Sequence, residues 1–236
     1  MATREVPDSH RVESPFVSGK AALEESRHEE AANLFRAALR MGARSIDEEA
    51  EIRCLLSFAL EQQSLTREQL EVISKYEKPV EFGRLSQSAQ ISVLIRLGFG
   101  HSFNNDIPRA IALFNQALHL AREAGDNSQI GECYFGMGRA YRVFSEPRIA
   151  RDHYTSALEH FRQVGNWQKL AESYINIGYI NAREGDFRNA LYAVKQSLTI
   201  MGNRQNPDLQ GRAHWYLAII YDNLGEIDKS LSSWEK

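Results

Sequence analysis

One feature constrains this chain more than any other: its residues recur every forty positions. Leu97-Gly98 is followed forty residues on by Met137-Gly138, then Ile177-Gly178, then Leu217-Ala218. A second set of columns keeps the same register: Ala110, Ala150, Ala190 and Ser230; Phe114, Tyr154, Val194 and Trp234; Ala117, Ala157 and Ser197; Leu118, Leu158 and Leu198. A fixed period of this length means stacked supersecondary units, each burying its apolar face against the next. The spacing inside a unit reads as two antiparallel helices. Gly or Ala in the first column permits close approach, and Ala twelve residues later is the matching small residue on the second helix. The bulky residue four further on shares that face one turn along. Short turns separate the helices at Asn104-Asn105-Asp106, Ser145-Glu146-Pro147, Glu184-Gly185-Asp186 and Leu224-Gly225-Glu226. Pro108 and Pro147 suit a helix first turn, and Gly125 and Gly165 suit positions just past a helix end.

In this pattern the chain resembles the tetratricopeptide repeat, whose units place an aromatic, Leu-Gly, Tyr, Ala, Phe and Ala at fixed offsets. Tyr134, Met137-Gly138, Tyr141, Ala150, Tyr154 and Ala157 match best, while the next unit has Asn181 where tyrosine is usual. The family's common period is about 34 residues, so a forty-residue period gives each helix about one extra turn, as in regulatory scaffolds and bacterial signalling proteins. The resemblance implies an all-α, right-handed solenoid of antiparallel helix pairs with five to six repeats. These are expected at about 14–43, 46–77, 87–125, 127–165, 167–203 and 207–236, after a disordered tail at 1–13. The second unit is degenerate, with Gln69 where a small residue belongs, and 77–83 reads as an extended link. The sixth stops early and leaves Leu231 and Trp234 without a covering helix. The expectation is a chain that continues beyond 236 into an effector domain, or one that self-associates through that repeat.

Binding in such an array is expected on the concave face, lined mainly by first helices. Counting from the glycine column places there Arg96 and Phe99; Glu132, Phe135, Arg139 and Arg142; Glu172, Asn176, Tyr179 and Arg183; and Arg212, Trp215, Asp222 and Asn223. Arginine forks and planar aromatics suit a peptide or partner segment, acidic in character. Pairing of the arginines with Glu132, Glu172 and Asp222 inside the array is the competing reading. The family includes cochaperones that grip an acidic tail with lysine and asparagine. The corresponding positions here hold Ile95 and Phe99, then Phe135 and Arg139, so that clamp is not reproduced.

Other functions find little support. A net charge of -3 gives no global case for nucleic acid or an anionic membrane, although single-stranded RNA in the arginine-lined groove is a third reading. A sensor or autoinhibitory domain of a larger bacterial regulator is the second. His153 and His160 are seven residues apart, about 10 Å along a helix, too far to share one ion without a third element. No nucleophile elbow, phosphate loop or other catalytic constellation is present, so neither enzyme activity nor a cofactor or metal is expected. Cys54 and Cys133 read as small core residues in a reducing compartment. With no secretory leader or membrane-length apolar run, the expected location is the cytoplasm.

Overall fold

The computed structural model describes residues 14–204 and 206–235; the tail expected to be disordered at 1–13 lies outside them. Among the described residues the chain is all helical: α1 Pro15–Glu24, α2 His28–Met41, α3 Ile46–Gln62, α4 Thr66–Ile73, α5 Pro79–Phe82, α6 Gln87–Phe103, α7 Ile107–Ala124, α8 Asn127–Val143, α9 Pro147–Gln163, α10 Trp167–Arg183, α11 Phe187–Met201, α12 Pro207–Asn223 and α13 Ile227–Trp234. They form successive antiparallel hairpins, the solenoid that the repeat implies.

From α7 onward the forty-residue period resolves into two halves, because helices begin at 107, 127, 147, 167, 187, 207 and 227. Local chemistry sets that spacing. Asp106, Asp126, Asn166, Asp186 and Asn206 stand one residue before a helix, and each side chain accepts the third helical N–H at 3.0–3.3 Å. Glu146 and Glu226 hold the same place without a side-chain cap. Before Asp106, Asp126, Glu146, Asn166, Asp186 and Glu226 the residue is left-handed, supplied by Gly125, Gly165, Gly185 and Gly225 but also by Asn105 and Ser145. In this conformation the cap N–H turns back to a carbonyl five residues earlier, as in Asp126 to Ala121 at 3.0 Å and Asp186 to Asn181 at 2.9 Å. Apart from the five residues between α11 and α12, each helix from α7 onward is therefore closed and the next opened within three residues.

Packing repeats with the same fidelity. Residues 121–140 and 161–180 are buried, half-buried or exposed in the same order at every position. The glycine column works by close approach. A Cβ on Gly98 would stand 2.7 Å from the Phe114 ring, on Gly138 3.0 Å from Tyr154, and on Gly178 2.5 Å from Val194. Each partner lies sixteen residues on, on the second helix of the same pair. Gly19 and Phe35 repeat the arrangement in the N-terminal part, at 2.6 Å.

The described residues divide into two compact units, with the boundary between residues 89 and 90 in the first turn of α6. In the first, Ala22, Ala31, Phe35, Ile52, Leu56 and Leu60 form a core between α1, α2 and α3. The segment 77–83 differs from the extended link expected there. Ser74–Glu77 is a 3₁₀ turn and Pro79–Phe82 a helical turn, since Pro79 at the first helical position starts a helix at no hydrogen-bonding loss. Gln69 is fully buried with neither amide atom hydrogen-bonded, which accounts physically for the weak pattern of that pair. In the second unit, α10 to α12 enclose Ala171, Ile175, Val194, Met201, Ala213 and Leu217. On α13 the apolar side chains of Ile227, Leu231 and Trp234 are exposed.

Cys54 and Cys133 are both free and buried, and burial pushes the Cys133 thiol up to about 12. Tyr141, His153, Tyr134 and His160 stack in alternation across α8 and α9, with neighbouring ring centroids 5.3–6.0 Å apart. His153 thus packs between two tyrosines, and His160 stacks on Tyr134. Among the described residues, no helix is long and apolar enough to cross a membrane.

Candidate functional site

In the second unit the first helices α6, α8, α10 and α12 meet along one face, and the side chains there touch across repeats. On α6, Arg96 lies over Phe99, its guanidinium 4.5 Å from the ring centre. Arg139 of α8 reaches the same ring at 5.4 Å and Phe103 at 4.5 Å. Lys169 of α10 sits 4.4 Å above Phe135 and pairs with Glu132 at 3.7 Å and Glu172 at 3.4 Å. Arg212 of α12 reaches Glu172 at 3.4 Å. At the other end of the helices, Tyr179 lies 5.5 Å from Tyr216, which meets Trp215 edge-on at 4.8 Å. Arg142 approaches the Tyr179 ring from α8 at 5.2 Å, and Arg183 from its own helix at 5.8 Å.

Three residues expected to face a ligand are packing residues instead. Phe99 is 1% exposed and meets Phe114 edge-on at 5.1 Å. Phe135 is 0% exposed, between Tyr154 and Phe161. Asn176 is 6% exposed and donates its amide to the Glu172 carbonyl at 2.9 Å. Two of these rings form the floor on which the cations lie, a cation–π arrangement that fixes charge over an apolar surface. The remaining expected residues, Arg96, Arg139, Arg142, Tyr179, Arg183, Arg212 and Trp215, are half-buried or exposed. The expectation did not include Lys169 or Tyr216. Lys169 was findable, because it stands forty residues after Gln129, which itself donates to Ser92 of the previous first helix at 3.1 Å.

The centre of this face is an ion cluster. Burial alone would raise the Glu172 carboxyl, but Lys169, Arg212 and Arg139 outweigh it and hold the group down at about 2. The folded value lies below the ordinary one of about 4.5, so the cluster stabilises the fold fully above pH 4.5. That stabilisation is lost as pH falls from there toward 2. Glu172→Gln is expected to destabilise the chain by about 1–3 kcal/mol at pH 7, since two cations lose a half-buried partner. Urea unfolding at pH 7 and pH 4 checks this: the deficit of the variant should shrink at pH 4, and a constant deficit would assign the loss to packing.

Beyond the cluster, an open cleft of about 250 Å³ lies between α8 and α10, lined by Arg142, Ser145, Pro147, Tyr179, Ile180, Arg183 and Glu184. Three of these seven are among the expected binding residues. Glu184 is paired from outside the cleft by Arg151, which also donates to Asn181 at 3.0 Å.

No protein-family model matches the chain. Tetratricopeptide repeat protein 29 of Trypanosoma brucei brucei is 26% identical over 147 residues, which cover 59% of this chain and 31% of that protein. The chain thus spans about a third of the length of this curated relative. Among solved structures, BtubC (BKLC) from P. vanneervenii is similar with a TM-score of 0.64 at 16% identity, over 96% of this chain and 89% of that one. A Rap protein complexed with Competence and Sporulation Factor gives 0.69 at 13% identity, over 94% and 72%. A thermophilic TPR protein of Thermus thermophilus gives 0.60 at 16%, over 86% and 97%. The chain has the tetratricopeptide-repeat fold, on a forty-residue period.

Proposed function

We propose that the chain is a protein-interaction module that holds a segment of a partner protein on the first-helix face of residues 90–235, with no bond made or broken. The observation that carries this reading is the continuity of that face. Arg139 reaches Phe99, Lys169 reaches Glu132, Arg142 reaches Tyr179 and Tyr216 reaches Tyr179, so side chains from successive repeats join into one surface. Fixed aromatics and ordered guanidinium groups bind with little loss of side-chain entropy, because the fold has already ordered them. A structure of the same fold is described in complex with a factor, which supports the reading by analogy of fold.

The test is selection from a displayed random twelve-residue peptide library on the immobilised chain. Enriched peptides are expected to quench tryptophan emission, and to lose that effect when Trp215, 46% exposed beside Tyr216, is replaced in Trp215→Phe. No enrichment above the bare support, or quenching that persists in the variant, would contradict the assignment of the face.

A further inference from the structure

The geometry points to the cleft between α8 and α10 as an acid-anchor subsite: it takes one carboxylate side chain of an extended partner segment, whose neighbouring apolar residue lies on the Tyr216–Trp215 shelf. The inference rests on the interaction reading above and names the chemistry of its anchor. Its basis is a difference between cations that have partners and cations that do not. Lys169 pairs with Glu132 and Glu172, Arg212 with Glu172, and Arg151 with Glu184. Arg142 and Arg183 have no carboxylate within ion-pair distance among the described residues. Their side-chain contacts are with tyrosines: Arg142 over the Tyr179 ring, and Arg183 beside it, donating to the Tyr179 hydroxyl at 3.0 Å. One ring thus orders two uncompensated guanidinium groups.

A second observation is independent of charge. The Arg142 Nε is buried without a hydrogen-bond acceptor, and so is the hydroxyl of Tyr154. Tyr154 is fully buried against Arg142, whose charge and side-chain contact partly offset the rise that burial gives its hydroxyl. Of the two, Arg142 lines the cleft, and a buried guanidinium N–H without an acceptor is an uncommon arrangement that a bound acceptor relieves. A carboxylate has four lone-pair positions and is the natural complement of a guanidinium edge. The volume agrees: about 250 Å³ falls below the roughly 300–1,000 Å³ of small-molecule sites and suits one side chain. Tyr179 links the two halves of the subsite, because the ring that orders the arginines also packs on Tyr216.

A polyanion fits less well. A nucleic acid strand following the first helices would pass Glu132 and Glu172, which occupy the same face and pair there with Lys169 and Arg212. An isolated acid seated at one end of the helices avoids them.

An array of twelve-residue peptides tests this, each with one Glu adjacent to one Leu, Phe or Tyr at every position, beside a matched array with Gln in place of Glu. Capture is expected to favour the acidic set. The double variant Arg142→Glu, Arg183→Glu is expected to weaken acidic peptides about tenfold or more and their Gln counterparts by clearly less, with helicity by circular dichroism retained. Should the reversal fold poorly, Arg142→Gln, Arg183→Gln is expected to give the same selective loss. Equal capture of both arrays, or indifference to both variants, would overturn the subsite while leaving the interaction module intact. Capture of nothing would sink both. Displacement of the acidic peptides by a twelve-residue uridine oligonucleotide at equal concentration would overturn the subsite in favour of nucleic acid.

Discussion

Gly136→Leu is expected to lower the thermal unfolding midpoint by about 10 °C, whereas Gly211→Ala, also inside a first helix, is expected to raise it by about 2 °C. The two glycines differ only in what stands opposite. A Cβ at Gly136 would enter the Phe114 ring, with even the third-nearest ring carbon at 2.9 Å, while a Cβ at Gly211 would meet nothing within 4 Å. Phe114 cannot withdraw: it is fully buried, packed on Gly98 of its own hairpin and edge-on to Phe99. Overpacking of this kind costs about 1–3 kcal/mol for a small excess and more for a whole leucine. The helix-propensity gain from replacing glycine, about 1 kcal/mol, is too small to offset it. At Gly211 that gain stands alone. A thermal melt followed by circular dichroism checks both signs, and a Gly136→Leu midpoint equal to wild type would mean that α7 and α8 are not packed in this register.

The second large effect is at Phe135. Phe135→Ala is expected to cost about 3–5 kcal/mol of stability, because the ring is fully buried between Tyr154 and Phe161 and carries Lys169 above it. Below its lowered midpoint the variant should still bind acidic peptides within about tenfold of wild type, since Phe135 does not line the cleft and reaches it only through Tyr154. Urea unfolding combined with peptide titration at low temperature separates the two readings of this residue. Loss of binding at unchanged stability would return Phe135 to the role of a ligand contact.

That residue also shows where periodicity stops being informative. The hairpins were legible because the period repeats what packing demands: Gly98 with Phe114, Gly138 with Tyr154 and Gly178 with Val194 are one contact made three times. The face was legible only by residue type. A helix turns about 100° per residue, so a count begun one position off moves a side chain from the groove into the core. Arg139 and Arg142 came out on the open face, while Phe99, Phe135 and Asn176 came out beneath it. Gly136 was invisible for a different reason. Its forty-residue counterparts are Arg96, Asn176 and Tyr216, so no column marks it, and only its contact with the preceding hairpin reveals why glycine is there.

The twenty-residue half-period was present in the caps Asp106, Asp126, Asn166, Asp186 and Asn206, but a search at the full period passes over it. The cleft could not be read at all. It depends on Arg142 and Tyr179 meeting across repeats, and on Arg151 taking Glu184 away from the two arginines.

The most direct test of the central claim, that first helices carry the binding face, is amide hydrogen exchange with and without a peptide selected on the chain. Slowed exchange is expected in α8, α10 and α12, greatest around Arg142, Tyr179 and Arg183, with α7, α9 and α11 little changed. Protection confined to α7, α9 and α11 would contradict it.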